Sequence, residues 1–542
     1  MATQDEPAQV ETPITSGIID VETHSTNDTH WIQPAPPFHG EVPQTGGCES
    51  TPGSASWFSS DFTTLPSSFT TTDTDLLTGT GTVEESSPND NEPEKDLGSG
   101  YGVRGDKASP VLETHLVSCD DNRIVRQIGT VLSGSLQHDY LIKHYNSHVA
   151  ELLLPLSHSD NPFRNIYLST AMEGLLHYDL HMGTSKEMAY KALYQSLLAS
   201  AAYHRWQCNT QDHIYRELGA KYRYHSIQSL QAAVAQVPAT ANYQTLMLAV
   251  LSLVTIGVLS GEADDFRIHI QAASELRALR SQWKLISHSS RRLNEIGAFL
   301  ALLSDTTSFE PSPSPWSSND QSNPESWTLR SSECYAFTYG ITPTITMAIN
   351  ETCRLYRHLA RFKLESKSLP DDFLQACEEL GNLLQSWRFE SEDITGISIG
   401  DGFTLSVFSC YAKAWHGAAL IYYYTLIQGF ERADLIREVD DVGEYMLNAE
   451  DLKSASKNSW QGNSMAPITW PAFIASCNAV RHRRGIWEQW WKRVLCYNLG
   501  NMSKQWDLVQ KIWGSLDEAE DKGIWLSWAE AYDIHGINVL LV

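Results

Sequence analysis

Asp440-Asp441-Val442-Gly443-Glu444 has the D-D-x-x-E form in which paired carboxylates hold magnesium against a diphosphate. A second acidic run follows about ten residues on, Glu450-Asp451-Leu452-Lys453-Ser454, with Asn458 where a further acidic ligand would stand. Two such motifs must face each other from separate helices across a cavity. At this spacing they share one helix or its end, so a solvated acidic helix end is the better account. His144 and His148 lie one helical turn apart, as metal ligands on a helix would, but no glutamate sits beside the first and no third ligand is evident. Ordinary polar or packed histidines are the preferred reading. Gly100-Tyr101-Gly102-Val103-Arg104-Gly105 matches G-x-G-x-x-G, yet Glu94-Lys95-Asp96 precedes it instead of a strand and no apolar helix follows, which makes it a linker. Arg481-His482-Arg483-Arg484 could serve as a nuclear import signal or a phosphate contact; pairing with carboxylates on neighbouring elements is preferred. The nine cysteines include no C-x-x-C pair, so free thiols in a reducing compartment are expected. No catalytic, cofactor-binding or metal-ligating residue is assigned, and no enzyme activity is expected.

The elements that carry these residues are helical by pattern. Leu141-Ile142, Tyr145, His148-Val149 and Leu152 repeat at three and four residues. Similar stripes recur at 187–206, 210–234, 242–259, 263–285, 291–303, 346–363, 371–388, 403–427, 431–447, 471–495 and 503–517. No fixed period repeats, so an all-α, large, irregular multi-helix body is expected over 115–542, with internal loops at 305–323, rich in proline and serine, and at 450–463. The apolar run from Leu246 to Leu259 contains Ser252, Thr255 and Gly257 and falls short of the roughly 20 residues that span a bilayer, so a buried helix and no membrane contact are expected.

Ahead of that body, residues 1–110 form an acidic Ser/Thr/Pro-rich stretch in which Lys95 is the only basic residue before Arg104. So little apolar surface cannot offset the ordering entropy, and a disordered tail is expected. Trp57-Phe58-Ser59-Ser60-Asp61-Phe62 and Asp73-Thr74-Asp75-Leu76-Leu77 set hydrophobic groups beside acids, the composition of an acidic activation segment, although a plain solvated tail accounts for it too. Met1-Ala2-Thr3-Gln4-Asp5-Glu6 lacks a basic or apolar leader. The formal net charge of −26 argues against a dominant nucleic-acid surface, because phosphate binding needs a concentrated positive field.

Thr469-Trp470-Pro471-Ala472-Phe473-Ile474-Ala475-Ser476-Cys477 reads as a helix start, with Pro471 at the first turn and Thr469 as its cap. The arginines are expected to continue that helix, with Trp487, Trp490 and Trp491 on the same helix as a packing surface. This W-P-x-F-x-A stretch resembles a signature of the fungal-specific transcription factor domain, the α-helical regulatory region of fungal zinc-cluster proteins. Further segments are similar in order. They are the Leu141–Arg164 helix with its Asn161-Pro162-Phe163, the small-residue helix from Tyr190 to His204, Phe266-Arg267-Ile268-His269-Ile270-Gln271-Ala272-Ala273 for W-x-x-H-x-x-G-A, and the helix from Ala412 to Tyr422 around Trp415.

That resemblance implies a nuclear transcriptional regulator of a metabolic or secondary-metabolite gene cluster. Members of the usual architecture carry six closely spaced cysteines that bind two metals and place a DNA-reading segment. The first hundred residues here contain only Cys48. The expectation is therefore action through partner proteins, either a zinc-cluster factor or the transcription machinery, and not direct DNA binding, unless a cysteine-rich exon lies upstream of Met1. A scaffold or inhibitor of a zinc-cluster regulator is the alternative. The resemblance leaves open a small-metabolite effector and a homo- or hetero-dimer. The acidic pair at Asp440 also faintly resembles an α-helical terpene synthase, an alternative that the motif spacing disfavours.

Overall fold

Three- and four-residue spacing of apolar side chains produces helices throughout. The computed structural model describes residues 134–178, 185–236, 243–262, 265–279, 286–317, 328–329, 334–392, 394, 402–457 and 465–542. Among the described residues every regular element is a helix. The acidic tail, the G-x-G-x-x-G segment and the boundary between tail and body all lie outside the described residues.

The first group of helices is α1 (Gly134–His144), continued by a π turn (Tyr145–Val149), α2 (Ser169–Tyr178), α3 (Ser185–Cys208), α4 (His213–Gln236), α5 (Tyr243–Ser260), α6 (Phe266–Leu279) and α7 (His288–Asp305). Helix α5 is apolar on every side and buried along nearly its whole length, which is why α3, α4, α6 and α7 all pack on it. By length and composition it is long and apolar enough to cross a membrane, but 89% of that window is buried inside the helical body. The second group comprises α8 (Tyr335–Tyr339), α9 (Pro343–Leu364), α10 (Asp371–Ser386), α11 (Gly402–Tyr423), α12 (Ile436–Lys457), α13 (Trp470–Cys477), α14 (Gly485–Val494), α15 (Gly500–Asp521) and α16 (Trp528–His535). Here α11 is the centre, with α9, α10, α12 and α13 against it.

Local chemistry sets the helix ends. Pro343 occupies the first turn of α9, Ser287 caps α7 by accepting from the Ser290 backbone N–H, and Ser527 and Glu530 form a reciprocal capping box on α16. The two groups meet where α5 ends and α15 begins. Gly261 has φ +68°, and a Cβ there would stand 2.5 Å from the Gly500 carbonyl, so two backbones touch where no side chain fits. The chain then finishes as a buried strap: Val539, Leu540 and Leu541 are enclosed, and the Leu540 carbonyl accepts from Asn501 Nδ2 at 2.5 Å and Gln505 Nε2 at 3.0 Å.

Two expected boundaries differ. The stripe at 471–495 is two helices, not one: α13 stops at Cys477, a 3₁₀ turn covers Arg481–Arg483, and α14 begins at Gly485. Asn478 ends α13 by donating its side-chain amide to the Ile474 carbonyl at 2.8 Å. The arginines therefore lie on the turn, and Trp487, Trp490 and Trp491 belong to the helix after it. The polar stretch from 450 is helical as far as Lys457, because the Glu450–Lys453 pair is buried and holds α12 together one turn beyond its apolar stripe. Residues 306–317 are irregular as expected, and 318–323 lie outside the described residues.

Candidate functional site

All eight residues of α13 are buried, so this helix has no exposed face. Trp470 stacks on Trp415 of α11, with ring centroids 5.1 Å apart and planes 13° from parallel, and meets the Tyr422 ring edge-on at 5.5 Å. Its indole N–H donates to Thr306 Oγ1 at 3.0 Å, and Tyr422 donates to the Thr306 carbonyl at 2.9 Å. Trp415 in turn donates to the Tyr339 carbonyl at 3.0 Å. At the other end of α13, Ser476 is the acceptor for two more indoles: its Oγ takes Trp491 Nε1 at 3.0 Å, and its carbonyl takes Trp513 Nε1 at 2.7 Å. Trp415, Trp470, Trp491 and Trp513 are thus apolar bodies with their single polar atom satisfied inside the core, whereas the buried indole N–H groups of Trp487 and Trp490 have no hydrogen-bond partner. Thr469 does not cap the helix as expected; its hydroxyl donates to the Val542 carbonyl at 3.0 Å.

The three arginines of the basic turn are engaged by carboxylates. Arg484 grips Asp517 of α15 through two bonds of 2.7 Å and lies over the Trp513 ring. Arg481 reaches Asp517 at 3.3 Å and Asp521 at 3.2 Å, and Arg483 reaches Asp440 at 3.5 Å. The hydrogen bond from Arg484, assisted by the charges of Arg484, Arg481 and Arg432, holds the Asp517 carboxyl below its usual range. Asp440 and Asp441 share α12 with Glu450, and they do not face a second carboxylate motif. Asp441 pairs along its own helix with Arg437 at 3.9 Å, Glu450 turns inward to Lys453, and Asp451 accepts from Arg493 at 2.6 Å. Gly443 sets the packing of this stretch, since a Cβ there would strike Ile486 of α14 at 2.7 Å.

The histidines come together in a way that their spacing alone did not disclose. His148 stacks on His144 at 4.7 Å, and His144 Nε2 meets Nδ1 of His204, 60 residues away on α3, at 2.9 Å. His204 Nε2 stands 3.8 Å from Cys208 Sγ. Burial, with the charges of His204, His148 and Arg205, pushes His144 down to about 2; burial, with those of His148 and Arg205, pushes His204 down to about 4, so both are neutral at pH 7. His148, His204 and Cys208 line a cavity of about 390 Å³ together with Cys496, Tyr497 and Asn498. Glu450, which also lines it, forms a buried ion pair with Lys453, whose ammonium donates to the Met465 and Ala466 carbonyls at 3.2 and 3.3 Å. Tyr497 donates to Glu450 Oε2 at 2.8 Å.

The other signature segments pack as one body with this core. Asn161 is buried and donates to the Ala150 carbonyl at 2.8 Å while accepting from the Phe163 backbone at 2.9 Å, which locks the Asn-Pro-Phe turn onto the first helix. In α6, Phe266 and Ala272 stand at the positions of the expected tryptophan and glycine; Phe266 is buried and Ala272 is partly buried against the core. The family model for the fungal specific transcription factor domain matches residues 140–542, the span over which these segments pack together. The chain belongs to this family. It is also 19% identical to the Arginine metabolism regulation protein II of Saccharomyces cerevisiae over 486 residues, covering 72% of this chain and 54% of that protein. The chain thus spans about half the length of that curated relative. No solved structure matches.

Membership in the fungal transcription factor domain family agrees with the signature geometry, since the residues that carry the resemblance are core residues. The family and the relative both point to a regulatory transcription factor domain. Sequence reasoning missed His204 and Cys208 as companions of His144 and His148. Their spacing of four on α3 was the only local signal; the 60-residue separation from His144 is closed by packing of α1 on α3.

Proposed function

We propose that this chain is a transcriptional regulator of a metabolic or secondary-metabolite gene set, acting in the nucleus through protein partners. The observation that carries the reading is the family match over residues 140–542, and the relative named for arginine metabolism regulation supports a metabolic target. In this reading the body from about 115 onward is the regulatory part, and the acidic residues 1–110 carry segments at 57–62 and 73–77 whose composition is that of an activation segment. Arg481, Arg483 and Arg484 are all committed to carboxylates, and the chain carries −26 overall, which supports recruitment to promoters by a zinc-cluster partner over direct phosphate contact.

The test has two arms. A fluorescent fusion of the full chain should accumulate in nuclei, and gene deletion should change transcripts of a coherent metabolic gene set. The purified chain, incubated with fragmented genomic DNA at physiological salt, should retain none of it above background. Nuclear exclusion with an unchanged transcript profile would sink the reading. Selective retention of promoter DNA by the purified chain would overturn the partner requirement.

A further inference from the structure

We propose that the cavity between α3, the Tyr145–Val149 turn and the turn before α15 is a binding site for a thiophilic divalent cation of the zinc class. His204 and Cys208 are its preset ligands, and Cys496 and His148 complete it. The inference stands on side-chain geometry and is independent of the regulatory reading.

His204 and Cys208 lie four residues apart on one face of α3, with Nε2 and Sγ separated by 3.8 Å. Two ligands of a tetrahedral zinc-class ion, bound at about 2.0 Å through nitrogen and 2.3 Å through sulfur, stand roughly 3.5 Å apart, so this pair needs only a small adjustment. The other ring nitrogen of His204 is held by His144 at 2.9 Å, the outer hydrogen bond that fixes a ligating imidazole and leaves Nε2 toward the cavity. Ser147 Oγ lies 2.7 Å from His148 Nδ1, an exposed local contact that leaves Nε2 as the nitrogen to ligate.

Cys496 faces the cavity from the opposite wall, on a turn whose Asn498 adopts φ 57° and hydrogen-bonds Cys208. Among the described residues no three His, Cys, Asp or Glu side chains already stand at metal-binding separations. The site is therefore half built. Cys496 and His148 are exposed and can change rotamer at little cost, which makes them the groups that swing in. Each thiol that ligates releases its proton to solvent. Glu450 and Arg493, the charged groups on the same wall, are held by Lys453 and by Asp451 and do not compete for the ion.

The test uses the full chain, stripped of metal and kept reduced, titrated with Co²⁺. We expect one equivalent to bind with the visible bands of a tetrahedral site and a thiolate-to-cobalt charge-transfer band in the near ultraviolet, both erased by Zn²⁺. Cys208→Ser and His204→Gln should each weaken binding by about tenfold or more, and Cys496→Ser should diminish the charge-transfer band. Cys410→Ser, a thiol on α11 away from the cavity, should change nothing. Weak octahedral absorption without a charge-transfer band, or equal affinity in Cys208→Ser, Cys496→Ser and wild type, would overturn the proposal. The exposed thiols are replaced isosterically, so these variants keep the helical circular dichroism needed to read the result.

Discussion

Trp470→Phe isolates one atom of the signature hub. The smaller ring keeps the stack on Trp415 at 5.1 Å but loses the indole N–H that donates to Thr306 Oγ1 at 3.0 Å. Losing that buried bond costs about 1 kcal/mol net, because Thr306 Oγ1 still donates to the Leu303 carbonyl at 2.7 Å and only an acceptor site is left empty. The change also removes roughly 40 Å³ of side chain from a fully buried site, about 1 kcal/mol of cavity cost at the usual coefficient. The sum is about 2 kcal/mol, which for a body of this size lowers the melting midpoint by roughly 2–4 °C. Thr306→Val removes the acceptor, orphans the indole N–H, and should cost about 1–3 kcal/mol. In the double variant the two losses overlap, and the coupling should be about 1 kcal/mol. Thermal unfolding followed by tryptophan fluorescence measures all three. Wild-type midpoints in both single variants, or strict additivity, would refute the claim that the signature is a packing hub.

Three other perturbations test separate parts of the account. Arg484→Ala should destabilise by about 1–3 kcal/mol at pH 7 by releasing Asp517. Because the folded Asp517 carboxyl is held below its ordinary value, its contribution is present above about pH 4 and is lost as pH falls through the folded value; the gap between variant and wild type should close in acid denaturation profiles. Asp440→Asn with Asp441→Asn should shift stability by no more than about 0.5 kcal/mol, and Mg²⁺ should not raise the melting midpoint of wild type, whereas a magnesium-diphosphate site would be stabilised by its metal. Deleting Val539 to Val542 should cost more than about 5 kcal/mol, since three enclosed apolar side chains leave the core and Asn501 and Gln505 lose their acceptor; a soluble, cooperatively melting truncation would contradict the strap.

The all-α class and most helix positions were legible from apolar spacing. Helix α5 was expected at 242–259 and runs Tyr243–Ser260; α10 was expected at 371–388 and runs Asp371–Ser386. Helix α10 carries its own period and α5 is an apolar run of helix length, and no tertiary contact has to override either pattern. The break between α13 and α14 was not legible, because neither glycine nor proline marks Asn478 and apolar residues continue at helical spacing on both sides. The break has a local part, Asn478 folding back onto Ile474, and a tertiary part, Arg484 pulled to Asp517 on α15. The polar composition after Glu450 suggested a loop for the opposite reason, since a charged pair buried inside a core has the same letters as one in water. Short α16 did leave a signal, the Ser527–Glu530 box and Gly536. The pairing of Arg481, Arg483 and Arg484 with carboxylates on neighbouring elements was the preferred reading, but the partners themselves, Asp517 and Asp521 on α15 and Asp440 on α12, were not legible, and the His204–Cys208 pair became visible only when α1 and α3 were packed together.

Chromatin immunoprecipitation of the epitope-tagged full chain, compared with an untagged strain, tests the central claim most directly. The account predicts enrichment at promoters of a metabolic gene set whose transcripts fall or rise when the gene is deleted. A genome-wide profile indistinguishable from the untagged control, with those transcripts unmoved by deletion, would contradict it.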